Sequence, residues 1–328
     1  MIQGMKITRA VRQMNSLGRQ RIPFLFVIDF LGTNVRVLPL TKIDPKQLLF
    51  DVQGVTNAPA QAIQSIPVEL EKFPVDFAAY QAAFERVQYH IRRGDTYLVN
   101  LSFETPISLN LSLWEVFYRS RARYKLILKN QWVVFSPESF CQIDETGVIR
   151  TFPMKGTIDA SLPNAQVRLA TDTKERAEHT TVVDLLRNDL SQIASNVTVP
   201  RFQYLEKITT HQRSLWQMSS EIRGQLPNNY ADNIGDLLFK MLPAGSISGA
   251  PKPKTVSIIR EVENYERGYY TGVFGLFDGT RLDSGVMIRF IENQNGQYVF
   301  KSGGGITYFS EAEREYQELT DKIYVPIY

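Results

Sequence analysis

Sulfur and imidazole are scarce in this chain: Cys141 is its one thiol, and His90, His179 and His211 are its only histidines in 328 residues. A single thiol excludes an intrachain disulfide and leaves no ligands for a thiolate metal cluster. No two histidines stand at a ligand spacing such as His-x-x-x-His, so zinc chemistry has no ligand set here. Long apolar runs are lacking too. The longest early one, Pro23 to Ile28, is too short for a membrane span and is closed by Asp29. It also lacks the pattern of a secretory signal, so a cytoplasmic protein without membrane attachment is expected. Like charges form no run either, since 37 basic and 34 acidic residues spread evenly give a net charge of +3. Nucleic acid is therefore not an expected partner. Any metal here should be a hard ion held by carboxylates, magnesium rather than zinc.

With 43% hydrophobic and 22% charged residues, the chain has the balance of a globular protein. Phe24 to Ile28 and Val35 to Leu38 predict paired strands, followed by a stretch of little order to about Phe73. Phe77, Tyr80, Phe84, Val87 and Ile91 recur at helical spacing and predict a helix from Asp76 to Arg93, ended by Gly94. Strands are expected at Tyr97–Ser102, Trp132–Phe135, Phe140–Ile143 and Val148–Phe152. Further on, a helix is expected over Lys174–Asn188, strands near Ser214–Arg223 and Gly272–Phe277, and between those strands a helix after Pro251. Val286–Ile291 and Gln297–Lys301 read as a hairpin around Asn295-Gly296, and a last helix over Glu311–Ile323. Strands in runs with helices between the runs favour an α+β fold. No linker or repeat interrupts the chain, so one domain over residues 1–328 is expected, with a short N-terminal part (1–74).

Two pairs of acids stand out. Glu175 and Glu178 share a face with Val182, Leu185 and Leu186; Glu315, Glu318 and Lys322 border the stripe Ala312, Tyr316, Leu319 and Ile323. Each Glu-x-x-Glu pair is either a solvated helix face or, beside an apolar stripe where like charges repel, a carboxylate set awaiting a cation. Gly245 to Lys252 leads into a helix whose first N–H groups suit an anion, and Ser302-Gly303-Gly304-Gly305 lets main-chain N–H groups approach a ligand. Arg289, read as a strand residue, could fork a carboxylate. Tyr270 is a packed aromatic or a ligand contact. Lys155, read in a tight turn after a strand, is an exposed cation or a nucleophilic amine. Glu138 is a general acid or a strand-end charge.

Together these segments resemble the chorismate-utilising enzymes, the family of anthranilate, aminodeoxychorismate, isochorismate and salicylate synthases. The matches run in family order from Gly94-Asp95-Thr96-Tyr97-Leu98-Val99-Asn100-Leu101 through Ser136-Pro137-Glu138, Pro153-Met154-Lys155-Gly156-Thr157 and Glu178-His179. They continue through Val183 to Leu190, Gly245 to Lys252, Tyr270-Thr271-Gly272, Ile288-Arg289 and Gly303 to Glu318. The resemblance implies one domain of two stacked antiparallel sheets flanked by helices, with the active site between them. It implies Glu175, Glu178, Glu315 and Glu318 as holders of Mg2+, directly or through water. Gly156, Thr157, Ser248, Gly249, Tyr270, Arg289, Gly304, Gly305 and Lys322 would contact chorismate, and Glu138 would assist departure of the C4 hydroxyl.

The lysine in Pro-x-Lys-Gly-Thr resembles aminodeoxychorismate synthases, whereas anthranilate synthases usually carry alanine there. The implied product is 4-amino-4-deoxychorismate, destined for 4-aminobenzoate and folate by way of a downstream lyase. Lys155 would attack C2 and ammonia would then add at C4, supplied by a separate glutamine amidotransferase subunit. Leu98 departs from the family's glutamine or lysine, and Gln217 from its histidine. Ser248 replaces threonine and keeps the hydroxyl. Gln217 disfavours the pyruvate-eliminating step of an anthranilate synthase, which stays as the second enzyme reading, a component I with an atypical lysine. Leu98 and Gln217 motivate a third, a catalytically weakened chorismate-binding subunit.

Overall fold

The computed structural model describes residues 2–62, 66–209 and 214–326, with residues 2–6, 208 and 209 described through their main chain alone. His211 lies outside the described residues.

The chain opens with helix α1 (Ile2–Arg19), which carries no acid in its first turn and was not expected. The hairpin β1 (Phe24–Ile28) and β2 (Val35–Pro39) follows as predicted, with Leu25 opposite Leu38. Asp29 shapes its turn by accepting from the N–H groups of Thr33 and Asn34 at 2.6 and 2.7 Å. The stretch expected to have little order contains β3 (Leu48–Val52), β4 (Val55–Thr56) and β5 (Leu70–Lys72). Their partners are distant in sequence, Leu49 facing Ile127 and Glu71 facing Ser108, so local pattern alone does not reveal them. Helix α2 (Phe77–Arg92) is capped by Asp76, whose carboxylate accepts from Ala78 N–H, and Gly94 leaves it at φ +79°.

Next come β6 (Leu98–Leu109), α3 (Leu113–Arg119), β7 (Tyr124–Leu128), β8 (Trp132–Ser136), β9 (Ser139–Ile143), β10 (Val148–Thr151) and β11 (Met154–Asp159). Helices α4 (Ala165–Thr171) and α5 (Thr173–Ser191) precede the long strands β12 (Ser195–Thr209) and β13 (Ser214–Gln225). Then follow α6 (Ile234–Met241), α7 (Gly245–Ser248), β14 (Gly249–Ala250) and α8 (Lys252–Val262). The chain ends with β15 (Val273–Phe277), β16 (Leu282–Val286), β17 (Phe290–Gln294), β18 (Gln297–Ile306) and α9 (Ala312–Asp321).

These elements form two compact units. The first contains residues 1–39, 139–246 and 275–284. Its sheet runs β11-β13-β10-β9-β16-β15-β1-β2, with β12 on β13. All five β1 side chains are buried, and the Phe24 and Phe277 rings meet at 5.4 Å. Burying each such side chain contributes about 1.5–3 kcal/mol. Helix α5 buries Val182, Leu185 and Leu186, the stripe read from its sequence.

The second unit contains residues 40–138, 247–274 and 285–328. Its sheet runs β14-β6-β18-β17-β8-β7-β3-β4, with β5 on β6. Phe117, Ile127, Val133, Phe135, Phe300 and Ile323 share one apolar core here. The β17–β18 hairpin turns at Asn295-Gly296 as expected, Gln294 facing Gln297. Its first strand starts late, however. Arg289 is not a strand residue: it lies between β16 and β17 at φ +57°, a conformation a side chain resists, and the chain changes sheets there. The expected α+β class with two antiparallel sheets and flanking helices is what the chain adopts.

Candidate active site

In the second unit, strand β6 carries Leu98 into a ladder with Ala250, while Gly249 faces Val99. Gly249 has φ +129°, and a Cβ there would sit 1.8 Å from the Leu98 carbonyl oxygen, so no other residue fits this approach. Ser248, beside it, is completely buried. The sequence reading had Ser302 to Gly305 in a loop after a strand. They are instead inside β18, where Gly303, Gly304 and Gly305 pair with Ser102, Leu101 and Asn100. Past Lys301 the other edge of β18 has no strand partner among the described residues, because β17 begins at Phe290. Lys322 uses that edge, donating from Nζ to Gly303 O at 2.9 Å.

Four predicted residues therefore meet. A Cβ at Gly304 would lie 3.5 Å from Glu315 Oε2 and 3.8 Å from Lys322 Nζ, and Lys322 pairs with Glu318 Oε1 at 2.6 Å. The two acids of α9 differ, since Glu315 is 6% exposed as a residue and the Glu318 side chain 55%. Tyr80 of α2 has its hydroxyl pKa raised by burial and then by the charges of Glu315 and Glu318.

Tyr270, Glu138 and Arg289 form a second group. Tyr270 is buried and its pKa is raised, chiefly by desolvation, with Arg289 opposing and Glu138 adding to the shift. The turn carrying Tyr270 is tied to the one before Arg289, for Thr271 N–H donates to Met287 O and Met287 N–H to Gly272 O, each at 2.8 Å. Arg289 lies over the Tyr324 ring at 5.4 Å, and its buried Nε has no hydrogen-bond partner among the described residues. A donor left unmatched inside a protein is costly unless something else accepts from it.

The first unit holds Lys155, Gly156, Thr157, Glu175 and Glu178. Lys155 is not in a turn. Met154 faces Ser219 and Thr157 faces Gln217, so Lys155 and Gly156 occupy a β-bulge in β11, which among the described residues pairs with β13 on one side only. A bulge re-aims a side chain, and such features cluster next to active sites. Gly156 makes it possible with φ +80°; a Cβ there would reach 3.0 Å from Glu175 Oε2. Both glutamates of α5 are half-buried, Glu175 N–H bonds to the Asp172 cap, and Lys174 Nζ lies 4.0 Å from Glu178.

His179 is wholly buried, with Nε2 2.7 Å from Ser220 Oγ. Desolvation lowers its pKa to about 4; the nearby Lys155 main chain favours the charged form, and the Lys155 ammonium disfavours it. Gln217 stands in a row across three strands, between Thr157 and Glu206.

The profile of the chorismate binding enzymes matches residues 40–327. The chain belongs to the chorismate-binding enzyme family. It is similar, at 49% identity over 98% of this chain and 100% of the other, to an uncharacterised PabA-like protein of Pasteurella multocida. It is 35% identical to aminodeoxychorismate synthase component 1 of Salmonella typhimurium over 74% of its own length and 56% of that relative. A structure of MenF, the menaquinone-specific isochorismate synthase of Escherichia coli, shares the fold with a TM-score of 0.72 at 16% identity, over 96% of this chain and 80% of that one.

For a metal, the predicted pairs are Glu175 and Glu178 of α5 and Glu315 and Glu318 of α9, all carboxylates. That donor chemistry fits a hard ion such as magnesium. Each predicted pair supplies two carboxylates, and among the described residues no group of three or more acids, histidines or cysteines is gathered at ligand distance. Sequence reading passed over Arg267 and Glu263, which are buried against each other between α8 and Tyr270. Their spacing of four residues was the available signal, but a charge pair at that spacing reads first as a solvated face.

Proposed function

We propose that this member of the family is an aminodeoxychorismate synthase component I, which aminates chorismate at C4. The observation that carries the reading is Lys155 in a β-bulge. Its ammonium has no hydrogen-bond or ion-pair partner among the described residues, and its main chain is fixed by the ladder on either side. The Salmonella relative's name supports the same reaction.

In this reading the Lys155 amine attacks C2 of chorismate, both ring double bonds shift, and the C4–O bond breaks with Glu138 delivering a proton, so that water leaves. Ammonia then forms the C4–N bond, the double bond shifts back, and the C2–N bond to Lys155 breaks. The net change is chorismate plus ammonia to 4-amino-4-deoxychorismate plus water. Glu175, Glu178, Glu315 and Glu318 would hold Mg2+, which when bound neutralises a chorismate carboxylate. Arg289, Tyr270, Lys322 and the Gly304–Gly305 main chain receive the other carboxylate; the unmatched Arg289 Nε supports this. Ser248, Gly249, Gly156 and Thr157 are the remaining substrate contacts of this reading. A glutamine amidotransferase subunit supplies the ammonia, and a lyase consumes the product.

The test is formation of 4-aminobenzoate from chorismate, magnesium and an ammonium salt with aminodeoxychorismate lyase added. Accumulation of fluorescent anthranilate instead would show nitrogen added at C2 and overturn the assignment. Binding of chorismate without turnover, even with the lyase and ammonia in excess, would point to a weakened subunit.

A further inference from the structure

Arg267 and Glu263 are the most deeply buried charge pair of the second unit, with side chains 2% and 1% exposed. A guanidinium has five N–H donors in a fixed fork, and here each one has an acceptor. Nε donates to Glu263 Oε2 at 2.8 Å and Nη2 to Glu263 Oε1 at 2.6 Å. Nη1 donates to Ile247 O at 3.1 Å and to Thr271 Oγ1 at 3.2 Å, and Nη2 also donates to Asn100 O at 2.5 Å. Glu263 is saturated in turn, accepting from Ser102 N–H at 2.9 Å and Ser102 Oγ at 2.8 Å. Burial works against the Arg267 charge, and the Glu263 carboxylate more than restores it, so the guanidinium stays protonated.

The three outside acceptors are not scattered. Ile247 O immediately precedes Ser248-Gly249. Thr271 immediately follows Tyr270 and is held at φ +60°, and its hydroxyl also donates to Tyr270 O at 2.6 Å. Asn100 lies two residues from Leu98 and faces Gly305 across the β6–β18 ladder. One buried cation thus holds two main-chain carbonyls and one side-chain hydroxyl beside three segments to which the chorismate reading assigns substrate contacts. A buried ion pair is weak evidence for stability, because well-packed apolar residues of the same volume often do as well. A fully satisfied polar hub is better at fixing one geometry.

We propose that Arg267, anchored by Glu263, is a positioning residue that sets the geometry of the chorismate subsite through Asn100, Ile247 and Thr271. The proposal deepens the function given above and rests on it.

The experiment compares the full chain with Arg267→Lys, Arg267→Met and Thr271→Val, the last removing one acceptor while keeping the β-branched shape. Chorismate affinity is measured by titration calorimetry with magnesium present, KM and kcat by ammonia-dependent turnover, and folding by thermal melting. Thr271→Val leaves one buried Arg267 N–H unmatched, so it should lower the melting temperature by a few degrees and also raise chorismate Kd and KM by about three- to tenfold, with kcat changing less. Arg267→Lys should raise both further, since an ammonium cannot reproduce the fork. If Arg267→Met does not fold, the other two variants decide. Folded Thr271→Val and Arg267→Lys proteins with parental Kd and KM and only a lowered melting temperature would overturn the proposal, leaving a purely structural pair. A parent chain that does not bind chorismate at all would instead overturn the functional reading and this inference with it.

Discussion

Lys155 and Arg267 are both cations, yet their surroundings leave very different hydrogen-bonding capacity open. Arg267 sits inside the second unit with all five donors matched, and has no capacity left for a ligand. Lys155 sits half-exposed in the first unit, on a strand with one partner among the described residues, in a bulge that Gly156 makes possible. The contrast teaches where to look for chemistry. A group that must form a bond keeps its hydrogen-bonding capacity open, while the groups that hold geometry use theirs completely.

The largest effect expected from breaking this contrast is chemical. Lys155→Ala should lower 4-aminobenzoate formation in the coupled assay by about 10³-fold. Its melting should stay within about a degree of the parent, as for a substitution touching no buried partner. Full activity in this variant would sink the covalent role. Removing the other cation's anchor should do the reverse. Glu263→Ala leaves a buried guanidinium unpaired and should cost about 3–5 kcal/mol in urea unfolding.

The next effect is one of pH and belongs to the Lys155 neighbourhood. His179 has a folded-state pKa of about 4 against an ordinary value of 6.5, depressed first by burial. Protonation therefore favours the unfolded chain. The stabilisation is complete above pH 6.5 and is lost as pH falls from there toward 4, to a total of about 3 kcal/mol. His179→Gln, which removes the titration, should flatten the stability curve across that window; an unchanged slope would show that other groups cause it. The smallest effect concerns the bulge. Gly156→Ala forces a side chain into positive φ and against Glu175, and should cost about 1–2 kcal/mol by thermal melting. It should also lower turnover in the coupled assay, the outcome expected if the bulge aims the lysine.

Elements with strong local signals were legible in the sequence. The stripe from Phe77 to Ile91 and the Asn295-Gly296 turn gave α2 and the β17–β18 hairpin, because periodicity and turn chemistry act over a few residues. Strands β3, β5 and β12 were missed. β3 and β5 are defined by partners far along the chain, and β12 meets β13 with repeated register shifts that blur any alternation. Arg289 was read into a strand because its neighbours Val286, Met287 and Ile288 alternate poorly but are apolar. Only the positive φ at Arg289 reveals that the chain changes sheets there.

The residues alone determined the chemical inventory: nearly no cysteine or histidine, two Glu-x-x-Glu helices, glycine-rich segments and a lysine in Pro-Met-Lys-Gly-Thr. That inventory, in its order along the chain, already marked a chorismate-binding enzyme, since identity and spacing are written directly in the primary structure. The tertiary structure decided which charges are open and which are closed. It put Lys155 in a bulge, Gly304 against Glu315 and Lys322, and Arg267 at the centre of three segments far apart in sequence. Burial and hydrogen-bond matching depend on residues tens or hundreds of positions away, so no local pattern contains them.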